Sequence, residues 1–176
     1  MRARAMASSF ADALDLGAPP PASSAACPDP PGSGLLLDLG CGWGPVALAL
    51  ADASPQARVL ATDVNARALE LTARNAAAAG HTRVRVVEAG ALAAELGQAG
   101  SRLDLIWSNP PVRVGKEALH ELLLTWLPLL ADDGEAWLVV GRNLGADPLA
   151  RWLSEQGWMV ERAASSKGFR VLRVRR

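Results

Sequence analysis

The chain has 176 residues, half of them hydrophobic, with 18 basic and 18 acidic side chains and a formal net charge of zero. That suits one α/β domain with a substantial core, and the balance excludes a diffuse attraction to nucleic acid while leaving room for a local basic patch. Two cysteines, Cys27 and Cys41, are too few for a disulfide framework and lack the partners of a zinc site, so no metal is expected and reduced thiols in a cytoplasmic setting fit.

In chain order, residues 4–16 can form a short helix with Met6, Phe10, Leu14 and Leu16 roughly on one side. Two arginines without a long apolar core argue against a secretory signal there. Residues 18–34, APPPASSAACPDPPGSG, have the Pro, Ser and Gly content of a flexible, partly disordered connection. Residues 1–34 are therefore expected to be a helix plus linker, and residues 35–176 the folded domain. No apolar run approaches the roughly 20 residues of a membrane span.

From Leu35 the pattern becomes regular. LLLDLG is a first strand and PVALALADA a helix; ARVLATD is a second strand, followed by the helix ARALELTARNAAAAG with its glycine stop. TRVRVVEA alternates as a third strand, ALAAELGQAG is a short helix, and RLDLIWS is a fourth strand. KEALHELLLTWLPLL reads as an amphipathic helix, EAWLVVG as the fifth strand, and DPLARWLSEQG as a helix with Asp147 as cap and Pro148 at its first position. WMVERAASSKGFRVLRV reads as two strands making a hairpin. Strands alternating with helices imply a parallel sheet, here a mixed seven-stranded one closed by an antiparallel pair.

Chemistry-bearing residues gather at strand ends. Asp38-Leu-Gly40-Cys41-Gly42-Trp43-Gly44 joins the first strand to a helix, where glycines allow a tight turn and close approach of a ligand to the backbone. Its GxGxG spacing differs from the GxGxxG of dinucleotide enzymes, which makes a nucleotide dehydrogenase the weakest reading. Cys41 lies in this loop, but no histidine is near it in sequence to activate a nucleophile. Asp63, with Val64 beside it, ends the second strand, where an acid accepts from both hydroxyls of a ribose. Asn65 fits the cap of the next helix better, which leaves Asp63 freer to bind. All these positions lie at the carboxyl ends of strands, where ligands sit in such sheets.

DLGCGWG resembles the first motif of class I methyltransferases that use S-adenosylmethionine. The resemblance implies that Asp38, directly or through water, and the backbone of Gly40, Cys41, Gly42, Trp43 and Gly44 hold the amino-acid end of that cofactor. Methyltransferases of this kind usually carry an Asp after the third strand that accepts from the adenine amine; here Gly90 stands at that place in EAGAL. SNPP after the fourth strand resembles the (N/D)PP(Y/F) motif of amino-methyltransferases, which modify adenine N6, guanine N2 or a glutamine amide. The resemblance gives Asn109 and Pro110 the catalytic place, with Asn109 also near the cofactor. The Asn109 carboxamide would accept one N–H of the acceptor amine and the Pro110 carbonyl the other, aiming its lone pair, with the prolines stiffening the backbone. A methyl on a sulfonium leaves a neutral thioether, so no strong acid is required.

The longer string from SNPPVRVGKEALH to KGFRVLRV resembles the small-methyltransferase domain of 16S ribosomal RNA guanine-N2 methyltransferases, over about residues 35–176. It implies a Rossmann-like class I fold and RNA, ribosomal in kind, as substrate partner. That group usually carries a longer segment with a strand pair ahead of the first strand, where this chain has FADALDLGA and its proline-rich linker. Pro111, Arg113, Lys116, Lys167 and Phe169 are the candidate substrate contacts: Arg113 and Lys116 either hold phosphate or open a solvated helix. Val112 replaces the motif's usual aromatic, so stacking on the acceptor falls to another residue, Phe169 first and Phe10 second. His120 shares a helix face with Lys116 and reads as structural. Arg173 and Arg175 share a strand face, as part of an RNA patch or of a charged sheet edge. Trp126, Trp137 and Trp152 lie within apolar patterns, whereas Trp43 falls beside the cofactor loop. Two other readings stay open: a glutamine-amide or adenine-amine methyltransferase, and a non-catalytic binding module of the same fold.

Overall fold

The computed structural model describes residues 29–110, 115–141, 145–166 and 168–176. Its elements are β1 (Leu35–Leu39), α1 (Pro45–Ala53), β2 (Arg58–Asp63), α2 (Ala66–Ala78), β3 (Val84–Glu88), α3 (Ala89–Ala99), β4 (Leu103–Ser108) and α4 (Lys116–Trp126). A 3-10 turn (Leu127–Leu129), β5 (Leu130–Gly141), α5 (Ala146–Glu155), β6 (Met159–Ser166) and β7 (Phe169–Arg175) complete it. The strands form one seven-stranded sheet in the order β3-β2-β1-β4-β5-β7-β6. β7 pairs antiparallel with both β5 and β6, and every other pairing is parallel. The mixed α/β sheet inferred from the alternation is therefore the observed one.

β1 sits mid-sheet and is buried along its whole length, which is why it is apolar at every position but Asp38. Its side chains alternate between two cores. Leu35, Leu37 and Leu39 face α3, α4 and α5 with Leu92, Leu96, Leu123, Trp126, Leu149 and Leu153. Leu36 faces α1 and α2 with Ala47, Leu50 and Leu69, in a layer that continues through Leu105, Trp107 and Trp137. Trp107 and Trp137 stack at 6.0 Å between centroids. No helix among the described residues is long and apolar enough to cross a membrane.

Three local expectations need correction. The helix read as KEALHELLLTWLPLL ends at Trp126, a 3-10 turn holding Pro128 follows, and β5 already starts at Leu130. Proline supplies no N–H to continue the helical ladder, and the apolar run after it belongs to the sheet. Asp147 does not cap α5: Gly145, in the left-handed region at φ 98°, takes that place. Asp147 lies in the first turn, with one carboxylate oxygen 3.0 Å from both Arg162 and Arg170. Finally, β7 is not a sheet edge, since β6 lies outside it. Arg173 is bound to Glu135, its guanidinium over the Trp137 ring, and Arg175 is near Glu161. The edge-protecting alternative for these arginines falls away.

Candidate active site

The site is built where β1, β2, β3 and β4 reach their carboxyl ends. The β1–α1 turn is held by its backbone: the N–H groups of Gly40 and Cys41 both donate to the Thr62 carbonyl, each at 2.9 Å. This folds the loop over the end of β2. Gly44 precedes α1 at φ 94°, and Pro45 follows at the first helical position, where its fixed φ suits a helix start. A Cβ at Gly44 would lie 2.9 Å from Thr72, so glycine is required there twice over. A Cβ at Gly42 would meet nothing within 4 Å: the loop backbone at that point is open to a ligand.

Asp38 lies beneath the loop, 3% exposed, and accepts from the N–H of Ala47 at 2.9 Å. Burial pushes its carboxyl up to about 7, the Ala47 bond opposes this, and the charge of Asp63 adds to it. Asp63 is half-buried at the end of β2. One of its oxygens accepts from Gly42 N at 3.0 Å and the other from Asn65 N at 2.9 Å. Asn65 caps α2 as expected, accepting from Arg67 N. Asp63 is thus less free than the sequence implied, since it fixes both the loop and the turn before α2. Each oxygen still keeps acceptor capacity for a ligand hydroxyl.

Cys41 is buried, and its thiol is pushed up to about 12 by desolvation, with the nearby Thr72 hydroxyl pulling the other way. A neutral, enclosed thiol is no nucleophile. Trp43 and Val64 are the opposite case: two large apolar side chains 52% and 83% exposed at the mouth of the site.

Asn109 and Pro110 follow β4, Asn109 exposed and Pro110 buried. Ser108, just before them, donates its hydroxyl to the Leu39 carbonyl at 2.8 Å, which ties the ends of β4 and β1 together. A Cβ at Gly40 would lie 3.9 Å from the Asn109 carbonyl oxygen. The glycine turn and the Asn-Pro segment therefore converge. Lys116 opens α4, exposed. Phe169 is half-buried opposite Gly141, where β5 ends, so it lies at the same carboxyl end of the sheet as Asn109. His120 stacks on Trp152 at 3.5 Å between α4 and α5, and burial, with the Lys116 charge, lowers its pKa. It packs two helices together. Pro111, Val112, Arg113, Lys167 and Phe10 lie outside the described residues, as does Cys27.

Three contributors were not legible beforehand. Thr72 donates to the Gly42 carbonyl at 3.0 Å, and Asn75 to the Trp43 carbonyl at 2.8 Å. Both hold the glycine loop from α2, and their i, i+3 spacing on one helix face was the available signal. The third is Glu88, whose carboxylate accepts from Gly90 N at 3.0 Å and Ala91 N at 2.9 Å and so caps α3. Among the described residues no group of three or more His, Cys, Asp or Glu is placed to hold a metal.

The model of the methyltransferase small domain family matches residues 25–173. An uncharacterized protein of Bacillus subtilis, YbxB, is 30% identical over 148 residues, 84% of this chain and 73% of that one. A ribosomal RNA large subunit methyltransferase G of Ectopseudomonas mendocina is 34% identical over 144 residues, 79% of this chain and 37% of its own. A release factor glutamine methyltransferase of Xylella fastidiosa is 53% identical over 76 residues, 43% of this chain and 26% of its own. This chain thus spans well under half of the two named enzymes. The crystal structure of TrmN from Thermus thermophilus overlays with a TM-score of 0.66 at 29% identity, covering 83% of this chain and 44% of that one.

The family's cofactor is S-adenosylmethionine, and the residues present fit it: an open glycine backbone at Gly42, acids at the ends of β1 and β2, and exposed apolar side chains beside them. The chain belongs to the methyltransferase small domain family and is an S-adenosylmethionine-dependent methyltransferase of the Rossmann-like class I fold.

Proposed function

We propose that the chain methylates an exocyclic amine of RNA, guanine N2 of ribosomal RNA first among them. The observation that carries this is the convergence of Asn109-Pro110 with the Gly40 turn across the β1–β4 strand ends. S-adenosylmethionine supplies the electrophilic methyl. The chain's own work is positioning: the Asn109 carboxamide accepts one N–H of the acceptor and the Pro110 carbonyl the other, so the amine lone pair points at the cofactor side of the site. Gly40, Cys41, Gly42, Trp43 and Gly44 hold the amino-acid end of the cofactor together with Asp38, and Asp63 with Val64 holds the ribose. Phe169 offers a ring on the acceptor side; Lys116, with Arg113, Lys167 and Pro111, completes the substrate contacts. Support for RNA comes from the ribosomal RNA methyltransferase relative, which matches across 79% of this chain. A cytoplasmic location goes with this reading.

A second reading keeps the same clamp and changes the acceptor to a glutamine side-chain amide, supported by the 53% identity to a release factor glutamine methyltransferase. The two are separated by transfer of a tritiated methyl to unmodified ribosomal RNA and to a glutamine-bearing peptide, with mass analysis of the product. Asn109→Ala should lower transfer at least a hundredfold, in line with loss of a preorganised acceptor contact, with binding of S-adenosylhomocysteine kept. Undiminished transfer in that variant removes Asn109 from the chemistry.

A further inference from the structure

At the end of β3 the sequence places no side chain at position 90, and the structure puts a carboxylate over that gap. Glu88 is the last residue of β3 and is exposed. Its side chain turns back over the start of α3, where each oxygen accepts one backbone N–H. A Cβ at Gly90 would lie 3.3 Å from a Glu88 oxygen, tighter than side chains normally pack. A side chain at 90 would make the carboxylate give by a few tenths of an ångström; glycine leaves it where it lies. Two N–H bonds fix its orientation and leave each oxygen a lone pair toward solvent. No cation stands within ion-pairing distance of it among the described residues.

Glu88 is also the register partner of Asp63 on the adjacent parallel strand. The two acids therefore stand side by side, about one strand spacing of 4.8 Å apart in backbone, at the carboxyl edge of the sheet, where ligands of such folds sit. Val64, the most exposed large apolar side chain described, follows Asp63 and presents a surface for a base. A nucleoside lying from β2 to β3 offers hydrogen-bond donors at both ends: the ribose diol and, if the base is adenine, its exocyclic amine. A purine with a carbonyl at that position offers an acceptor, which a carboxylate repels.

We infer that Glu88 is the residue that reads the adenine amine of the cofactor, in place of a side chain at position 90. This rests on S-adenosylmethionine as the family's cofactor, and it assigns a residue the motif pattern leaves blank. Glu88 binds; it takes no part in methyl transfer.

The test is calorimetry with two ligands, S-adenosylhomocysteine and its 6-oxo counterpart S-inosylhomocysteine, on the full chain and on Glu88→Gln and Glu88→Asp. The parent should prefer the adenine ligand by tenfold or more. In Glu88→Gln the amide can donate to a 6-oxo group, so the preference should vanish or invert. Glu88→Asp keeps a good helix-capping acid on a shorter arm; it should hold its melting temperature and lose most of the preference. A purely capping role predicts something else, namely equal weakening of both ligands with the preference intact, and that result overturns the assignment. So does a parent that binds both ligands alike. Failure of both ligands to bind the parent overturns the cofactor reading, and the assignment with it.

Discussion

Asp38 carries two consequences of one burial. Its carboxyl is held near pH 7 in the folded chain, whereas an unfolded chain releases that proton near pH 4. Between these values the folded state keeps a proton that the unfolded state has lost, so this group makes stability fall as pH rises from about 4 to 7. Above pH 7 the penalty is fully present, about 4 kcal/mol for a shift of roughly three units. Asp38→Asn retains an acceptor for Ala47 N and removes the ionisation. Its melting temperature should match the parent near pH 4 and exceed it by several degrees at pH 8, as read in parallel thermal melts. Binding of S-adenosylhomocysteine should strengthen with pH through 7 in the parent, as the ligand's ammonium favours the ionised acid, and should be weaker and pH-independent in the variant. A variant less stable than the parent at pH 8 contradicts the burial argument. Asp38 and Asp63 could be picked out in the sequence because acids at strand ends are conspicuous among apolar residues. Glu88 was not, although it too ends a strand on the face of Val84 and Val86, because the motif pattern points to position 90 instead. Only the returning side chain shows what it does.

Among the elements, β5 departs furthest from its sequence pattern, and Gly134 explains how. Between the Leu103↔Leu130 and Leu105↔Glu135 pairs, β5 holds three more residues than β4. The extra residues are accommodated where Gly134 presses against the chain: a Cβ there would lie 2.6 Å from the Leu103 carbonyl oxygen and 3.0 Å from Ala131 N. Those are backbone atoms, which cannot rotate away. Gly134→Ala should therefore cost on the order of 2–4 kcal/mol, in the range of an overpacked interior. In urea this appears as a lower midpoint with an unchanged slope. Because Leu103 is at the opposite end of β4 from Ser108, transfer per folded molecule should be preserved; an unchanged midpoint would show that the bulge relaxes. ADDG looks like a turn between helix and strand because its composition is that of a turn, and pattern alone cannot reveal that Leu130 is already paired. The same limit applies to α5. Asp147-Pro148 has the form of a cap and first residue, but the left-handed Gly145 starts the helix earlier, and Asp147 is taken by Arg162 and Arg170. Where local chemistry and sheet topology agreed, as at Asn65, the cap stood as read.

For the whole molecule, a net charge of zero leaves the RNA reading with a quantitative demand. Many arginines are spent internally: Arg85 on Glu95, Arg162 and Arg170 on Asp147, and Arg173 on Glu135. A guanidinium already paired with a carboxylate releases no counterion when RNA arrives, so phosphate contacts must come from the few cations left near the site. Lys116 is one, exposed at the start of α4 with no carboxylate partner among the described residues. Each phosphate neutralised on single-stranded RNA contributes about −0.7 to the slope of log affinity against log salt. Two to four contacts therefore give a slope of roughly −1.5 to −3, far shallower than for a basic nucleic-acid-binding protein. Fluorescence anisotropy with an unmodified ribosomal RNA fragment, taken from roughly 50 to 200 mM salt, measures it directly. Lys116→Ala should reduce the slope by about 0.7 and weaken binding without altering sequence preference. A slope steeper than about −5 would mean a broad phosphate track that this charge distribution does not provide. Absence of RNA binding, with transfer to a glutamine-bearing peptide intact, would move the acceptor from base to amide and leave the Asn109-Pro110 clamp as it stands. The clamp specifies a planar amine; the charge around it decides which polymer delivers that amine.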